Sequence, residues 1–125
     1  MTTTWRRAAL VILAAIASPA WAHHSFAMFD QTKQVTLNGV VREFQWTNPH
    51  SWLQLEVVND KGESEEWSVE MLSTSVLGRM GWKKNSLKPG DKVTVVINPV
   101  RTGAPAGNMI SVSDETGVTI GGPPE

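Results

Sequence analysis

Residues 52–71 read WLQLEVVNDKGESEEWSVEM and contain the clearest structural pattern of this 125-residue chain. Apolar and polar residues alternate over 52–58 and again over 66–71, as they do in strands that bury one face. The polar residues between them, 59–62, are typical of a tight turn. The segment therefore predicts a β-hairpin.

Three further segments predict strands around this hairpin. Residues 34–46 predict a long, curved first strand, in which Gly39 marks a bulge or bend. Residues 93–97 and 109–112 predict the last two strands, because each apolar run is bounded by glycine, proline or asparagine. The chain is therefore expected to form five strands.

One short helix is predicted between the third and fourth strands. Apolar residues in 73–80 recur every four positions, Ser73 or Thr74 can cap the start, and Gly81 can end the turn. Three strands, a helix and two strands form the order of a five-stranded, partly open barrel of the oligonucleotide/oligosaccharide-binding (OB) type. The predicted fold class is all-β with one short helix, in a small OB-like barrel. A small β-sandwich is the alternative.

The N-terminal residues have the pattern of a secretory signal peptide. Arg6 and Arg7 precede an apolar run over 8–17, and Ala-Trp-Ala at 20–22 matches the small-x-small cleavage site. The run is shorter than the roughly 20 residues that an uncleaved membrane anchor needs. Paired arginines also occur in twin-arginine signals, but their context here favours general (Sec-type) secretion. We expect a periplasmic protein with a signal peptide at 1–22, one domain at 23–120, a disordered tail at 121–125 and no membrane span after cleavage.

Composition restricts the chemistry and the partners. The chain has no cysteine, so disulfides and thiolate ligands are excluded. Residues 23–125 contain nine Lys and Arg against twelve Asp and Glu, without a basic cluster, which argues against nucleic acid as a partner. Neither a serine-hydrolase elbow, nor a His-Glu-x-x-His motif, nor a phosphate-binding glycine loop occurs, so no catalytic residue is predicted.

Three segments together resemble one protein family. They are HHSFAMFD at 23–30, VREFQWTNPHSW at 41–52 and GWKKNSLKPGD at 81–91. In these segments the chain is similar to the small exported bacterial proteins of domain-of-unknown-function family 6152. The resemblance implies export and a periplasmic β-barrel, and it implies no activity.

The three histidines of the chain, His23, His24 and His50, all lie in these segments. Cleavage after residue 22 leaves a free amine on His23, and an amine beside an imidazole chelates copper, zinc or nickel. His23 with His50 opposite predicts a copper "histidine brace", whereas His24 could chelate through the amine, its own amide and its ring. Met28 adds a thioether suited to Cu(I). Met71 and Met80 are expected to fill the core.

A metal-free interpretation stays open beside the copper hypothesis. His50 after Asn-Pro can stabilise a turn, and two histidines after a cleavage site can form a solvated tail. Trp46 and Trp52 flank Asn48 and are predicted to wall a ligand pocket, while the other two tryptophans of residues 23–125 are expected in the core. The alternative function is a periplasmic binding or accessory module that holds a partner protein or a small ligand on the barrel face.

Overall fold

The computed structural model describes residues 26–121. A 3₁₀ helix precedes five strands and one α-helix, in the order Phe26–Met28 (3₁₀), β1 (Val35–Gln45), β2 (Trp52–Val58), β3 (Ser64–Glu70), α1 (Thr74–Arg79), β4 (Lys92–Pro99) and β5 (Ala106–Asp114). The predicted order of three strands, one short helix and two strands is confirmed. The predicted signal peptide at 1–22, His23 and His24, and most of the predicted tail lie outside the described residues.

The strands close into a barrel in the order β1-β2-β3-β5-β4. Neighbouring strands are antiparallel except β3 and β5, which pair in parallel from Ser68↔Ala106 to Glu70↔Asn108. Every strand is therefore paired along both of its sides for at least part of its length. The predicted five-stranded barrel is confirmed, and the sandwich alternative is not adopted.

The hairpin of β2 and β3 forms as the sequence predicts, and β2 has the predicted bounds. Its register runs from Trp52↔Glu70 to Val58↔Ser64. The side-chain oxygen of Asn59 accepts hydrogen bonds from the backbone N–H groups of Lys61 (2.9 Å) and Glu63 (3.0 Å). Gly62 supplies the positive φ of 78° that the turn requires. Local turn chemistry therefore sets the register of this pair.

The bulge in β1 lies at Arg42, so the prediction that Gly39 marks it is wrong. Gly39 is paired regularly with Val57 on one side and with Val93 on the other. The register with β2 shifts between Val41 and Glu43, which leaves Arg42 as the extra residue. Gly39 is needed for close approach instead, since an added Cβ would lie 2.9 Å from the carbonyl oxygen of Glu56.

Inward-facing residues of the strands form one hydrophobic core, to which Leu77 of α1 and Trp82 also belong. Ser73 caps α1, because its hydroxyl accepts a hydrogen bond from the backbone N–H of Val76 (3.4 Å). Met71 is buried and Met80 packs against the core, as expected. The fully buried apolar side chains are Val41, Leu53, Leu55, Val69, Leu77, Val95, Ile97 and Val112.

Residues 26–30, called the arm below, are fastened to the chain just after β4. Phe29 is buried and forms a bridge with Val100, and the N–H of Asp30 donates to the carbonyl of Pro99 (2.8 Å). Arg101 binds the arm twice: its backbone N–H donates to the carbonyl of Met28 and its Nε–H to the carbonyl of Ala27, each at 2.9 Å. The arm therefore has a defined path across the barrel.

The carboxylate of Asp30 stabilises the same junction. A hydrogen bond from the hydroxyl of Thr32, together with the charges of Lys33 and Arg101, lowers the pKa of Asp30 below its usual 3.8. Because the pKa is lower in the folded state, this carboxylate contributes to stability at every pH above its ordinary pKa of 3.8. That contribution is lost only as the pH falls below 3.8 and through the lowered pKa. The junction is therefore charged at neutral pH.

Gly107→Ala should destabilise the barrel where β4, β5 and β3 meet. A Cβ at this position would lie 2.5 Å from Cδ1 of Ile97 and 2.6 Å from the carbonyl oxygen of Asn98. Such overpacking should lower the free energy of unfolding by about 1–3 kcal/mol, measured by urea denaturation. Gly78→Ala in α1 is the matched control, because a Cβ there meets nothing within 4 Å. The control should be neutral or more stable by about 0.4–1 kcal/mol. Equal stability of the two variants would contradict the close approach at Gly107.

Arg101→Gln should loosen the arm without unfolding the barrel. The substitution removes the bond to the carbonyl of Ala27 and the charge near Asp30, but it retains the backbone bond to Met28. Loss of such a hydrogen bond should speed hydrogen exchange at the amide of Asp30 by roughly two- to tenfold. Arg42→Gln, which removes an ion pair with Glu56 on the barrel wall, should leave this amide unchanged. The same exchange rate in both variants would show that Arg101 does not hold the arm.

Candidate functional site

His50 and Glu70 lie side by side at the end of the β2–β3 hairpin. Nδ1 of His50 lies 3.3 Å from Oε1 of Glu70 and 3.1 Å from the carbonyl oxygen of Met71. Both oxygens accept hydrogen bonds, so the Nδ1 atom carries the proton and donates it. In a neutral imidazole this tautomer leaves the lone pair on Nε2. The His50 side chain is 35% exposed, whereas that of Glu70 is only 8% exposed.

Short-range hydrogen bonds hold the loop that carries His50. The hydroxyl of Thr47 donates to the carbonyl of His50 (2.7 Å), and the buried hydroxyl of Ser51 donates to the carbonyl of Thr47 (3.2 Å). The backbone of Ser51 exchanges hydrogen bonds with the residues after β3, through the carbonyl of Leu72 (3.0 Å) and the N–H of Met71 (2.8 Å). These contacts place the imidazole against the end of β3.

Asn48 connects this loop to the helix. Its Oδ1 atom accepts hydrogen bonds from the backbone N–H and the hydroxyl of Thr74, both at 3.0 Å. The carboxamide oxygen therefore satisfies the first turn of α1, where backbone N–H groups lack partners within the helix. Asn48 is predicted from sequence as a pocket residue, and the structure places it at this helix contact.

A cavity of about 50 Å³ adjoins His50 and Glu70. This volume accommodates a few water molecules or one ion, and it is too small for a saccharide unit. Oδ1 of Asn108 is buried and has no hydrogen-bond partner among residues 26–121. The cavity therefore combines a buried carboxylate, an imidazole and an amide within largely apolar walls. Its lining residues are Phe26, Phe29, His50, Glu70, Met71, Leu72, Asn108 and Met109.

Four separate parts of the chain meet at this cavity. The parallel pair places Glu70 of β3 opposite Asn108 of β5, and β5 also brings Met109. The arm contributes the exposed Phe26 and the buried Phe29. Glu70, Asn108 and Met109 are not found by sequence analysis. Alternation along β3 puts Glu70 on the polar face with Ser68, and only the approach of the other elements buries it.

Neither of the two tryptophans that were predicted to wall a pocket lines the cavity at His50. Trp46 is half-buried, with its ring edge-on to Phe44 at a centroid distance of 5.9 Å. Trp52 is half-buried as the first residue of β2, where it pairs with Gln45 and Glu70. Met28 is 44% exposed and does not line the cavity. Of the predicted site residues within the described chain, His50 alone lines it.

The side chains of residues 26–121 contain no group of three His, Cys, Asp or Glu that could hold a metal ion. A metal ion beside His50 and Glu70 would therefore need further donors from outside this group. The described chain also has no helix of the length and hydropathy required to cross a bilayer.

Comparison with known proteins gives a family for the chain. The model described as "Family of unknown function (DUF6152)" matches residues 9–109. No curated protein matches the chain. Among solved structures, a mitochondrial single-stranded DNA-binding protein from S. cerevisiae is similar at 8% identity and a TM-score of 0.47, covering 66% of this chain and 94% of its own. Since the family match spans most of the sequence, the chain belongs to the family of unknown function DUF6152.

Proposed function

We propose that this protein is exported to the periplasm and binds copper through His50 and the N-terminal histidines. The ligands are the free amine and imidazole of His23 or His24 together with the imidazole of His50, and Met28 is an additional thioether donor. The observation that carries this proposal is the orientation of His50 by a buried carboxylate, beside the cavity where the arm begins.

The acceptors around Nδ1 of His50 support its role as a metal ligand. Histidines that bind metals commonly donate their other ring N–H to a carboxylate or a backbone carbonyl, which fixes the tautomer and raises the basicity of the ligating nitrogen. Glu70 and the carbonyl of Met71 supply both kinds of acceptor to Nδ1 of His50. This pattern of acceptors around Nδ1 supports His50 as a ligand.

The position of the arm beside His50 supports a site that also uses the N-terminal histidines. Phe26 lines the same cavity as His50, and His24 and His23 precede it by two and three residues. Three residues of chain can span at most roughly 11 Å, at about 3.6 Å per residue. Arg101 and Asp30 anchor the arm immediately after this point. The short tether favours chelation by the N-terminus and His50 together.

Copper is the metal that fits this donor set best. The chain offers nitrogen donors without thiolates, and divalent copper has the highest affinity for nitrogen sites in the first transition row. A terminal amine and an imidazole from one residue form a compact chelate, and the thioether of Met28 suits copper in its reduced state. Export would place such a site where copper is handled outside the cytoplasm.

A second function, docking of a periplasmic partner protein without metal, is favoured by the apolar rim of the cavity. Phe26 is 65% exposed and Leu72 is 38% exposed, and both line it. Because the cavity is small, a partner protein would contact its rim, and a sugar would not fit inside it. This function predicts that copper has no effect on the melting temperature, whereas copper binding to the native state must raise it.

The exported protein should begin at His23 and bind one Cu(II) ion through its terminal amine. Intact mass identifies the start, and calorimetric titration measures the affinity. One residue with an acetylated amine added before His23 should weaken binding by more than about tenfold, because it removes the free amine from the chelate ring and supplies no new one. The same residue added after Glu125 is the matched control and should leave the affinity unchanged. His50→Ala should also weaken binding. Equal affinity of both extended chains would refute the terminal chelate.

Glu70→Gln should lower the affinity for Cu(II) by about 10- to 100-fold, as for other groups that support a ligand histidine. The amide retains the shape of the side chain but removes the charge that faces Nδ1 of His50. Glu66→Gln, an exposed carboxylate on the same strand, is the control and should bind like the parent chain. A parent-like affinity in Glu70→Gln would show that the buried carboxylate does not support the ligand.

A further inference from the structure

We propose that the cavity itself is a binding site for a soft monovalent cation, Cu(I) or Ag(I), held by the imidazole of His50 and the thioethers of Met71 and Met109. The inference rests on the proposed copper function and deepens it, because it assigns the reduced ion to residues that line one cavity of the described chain. Neither methionine is expected as a ligand from sequence.

The donors come from three elements that meet at one point. His50 lies in the β1–β2 loop, Met71 follows β3 and Met109 belongs to β5, and all three line the cavity. The backbone carbonyl of Met71 also accepts the hydrogen bond from Nδ1 of His50, so residue 71 and the imidazole are neighbours. Thioethers select Cu(I) over harder divalent ions, and imidazole completes a mixed nitrogen and sulfur site.

The size and polarity of the cavity favour an ion without its water shell. About 50 Å³ holds only a few water molecules, so an entering cation must exchange water for protein ligands. Phe26, Phe29 and Leu72 supply apolar walls. Mg²⁺ and similar hard ions release water reluctantly and prefer oxygen ligands, whereas Cu(I) binds sulfur.

The polar groups of the cavity are arranged to accept positive charge. The carboxylate of Glu70 is buried beside His50 and lines the cavity, so a cation that enters the cavity lies near it. Oδ1 of Asn108 is a buried acceptor without a partner among residues 26–121. Leaving such an acceptor unpaired is itself destabilising. A cation in the cavity would be attracted to both oxygens and would neutralise the carboxylate.

The decisive experiment is a titration of the processed full-length protein with Ag(I), which mimics Cu(I) and does not change its oxidation state. The test variant is Met71→Leu combined with Met109→Leu, since leucine preserves volume and usually costs less than 1.5 kcal/mol at one site. The control is Met80→Leu, a methionine that packs against the core and does not line the cavity. Thermal unfolding of each variant verifies that it is folded.

The parent chain should bind one Ag(I). The double variant should bind it at least about tenfold more weakly, because loss of a direct ligand should lower the affinity at least as much as loss of a group that supports a ligand. Met80→Leu should bind like the parent. The chain with one acetylated residue added before His23 should retain its Ag(I) affinity although its Cu(II) affinity falls. Absence of Ag(I) binding in the parent, or equal binding in the parent and the double variant, overturns this inference. Unchanged Cu(II) binding in the extended chain overturns the terminal chelate of the proposed function alone.

Discussion

The parallel pairing of β3 with β5 is the constraint on which the rest of the structure depends. It joins Ser68–Glu70 to Ala106–Asn108 and thereby closes the barrel between two strands that are not neighbours in the chain. Gly107 pairs with Val69 of β3 in this ladder, and it also lets β5 approach Ile97 and Asn98 of β4 without a side chain between them. Without this pair the hairpin of β2 and β3 would keep an open edge, and the interior valines and leucines would lose one wall.

The same pairing generates the candidate site. Glu70 lies at the end of β3, on the face that alternation along the strand makes polar, and the approach of Asn108 and the arm removes it from solvent. A carboxylate in that position needs a compensating partner, and the loop held by Thr47 and Ser51 supplies the imidazole of His50. The buried charge, the oriented imidazole and the cavity are thus consequences of one closure.

His50 is the element that the two proposed copper environments share. In the first it acts with nitrogen donors of the N-terminus, and in the second with the sulfur atoms of Met71 and Met109. Because Nδ1 lies against Glu70 and Met71, one imidazole could serve only one of the two proposed ions at a time. The two modes therefore compete, and the donor sets assign Cu(II) to the first and Cu(I) to the second. A protein with this arrangement could hold copper in either oxidation state by changing the partners of one imidazole.

Sequence alone was sufficient for the features that depend on near neighbours: the β2–β3 hairpin, a cap at Ser73 or Thr74, and the order of strands and helix. These features follow from alternation, turn chemistry and helix capping, all of which act over a few residues. The bulge at Arg42 was missed because it depends on how β1 meets β2. The approach of Glu70 to Asn108 and Met109, and their distance from Asn48 and Trp46, were decided only by the tertiary structure. Contacts between residues so far apart in the chain depend on the register in which the barrel closes, and no local pattern encodes that register.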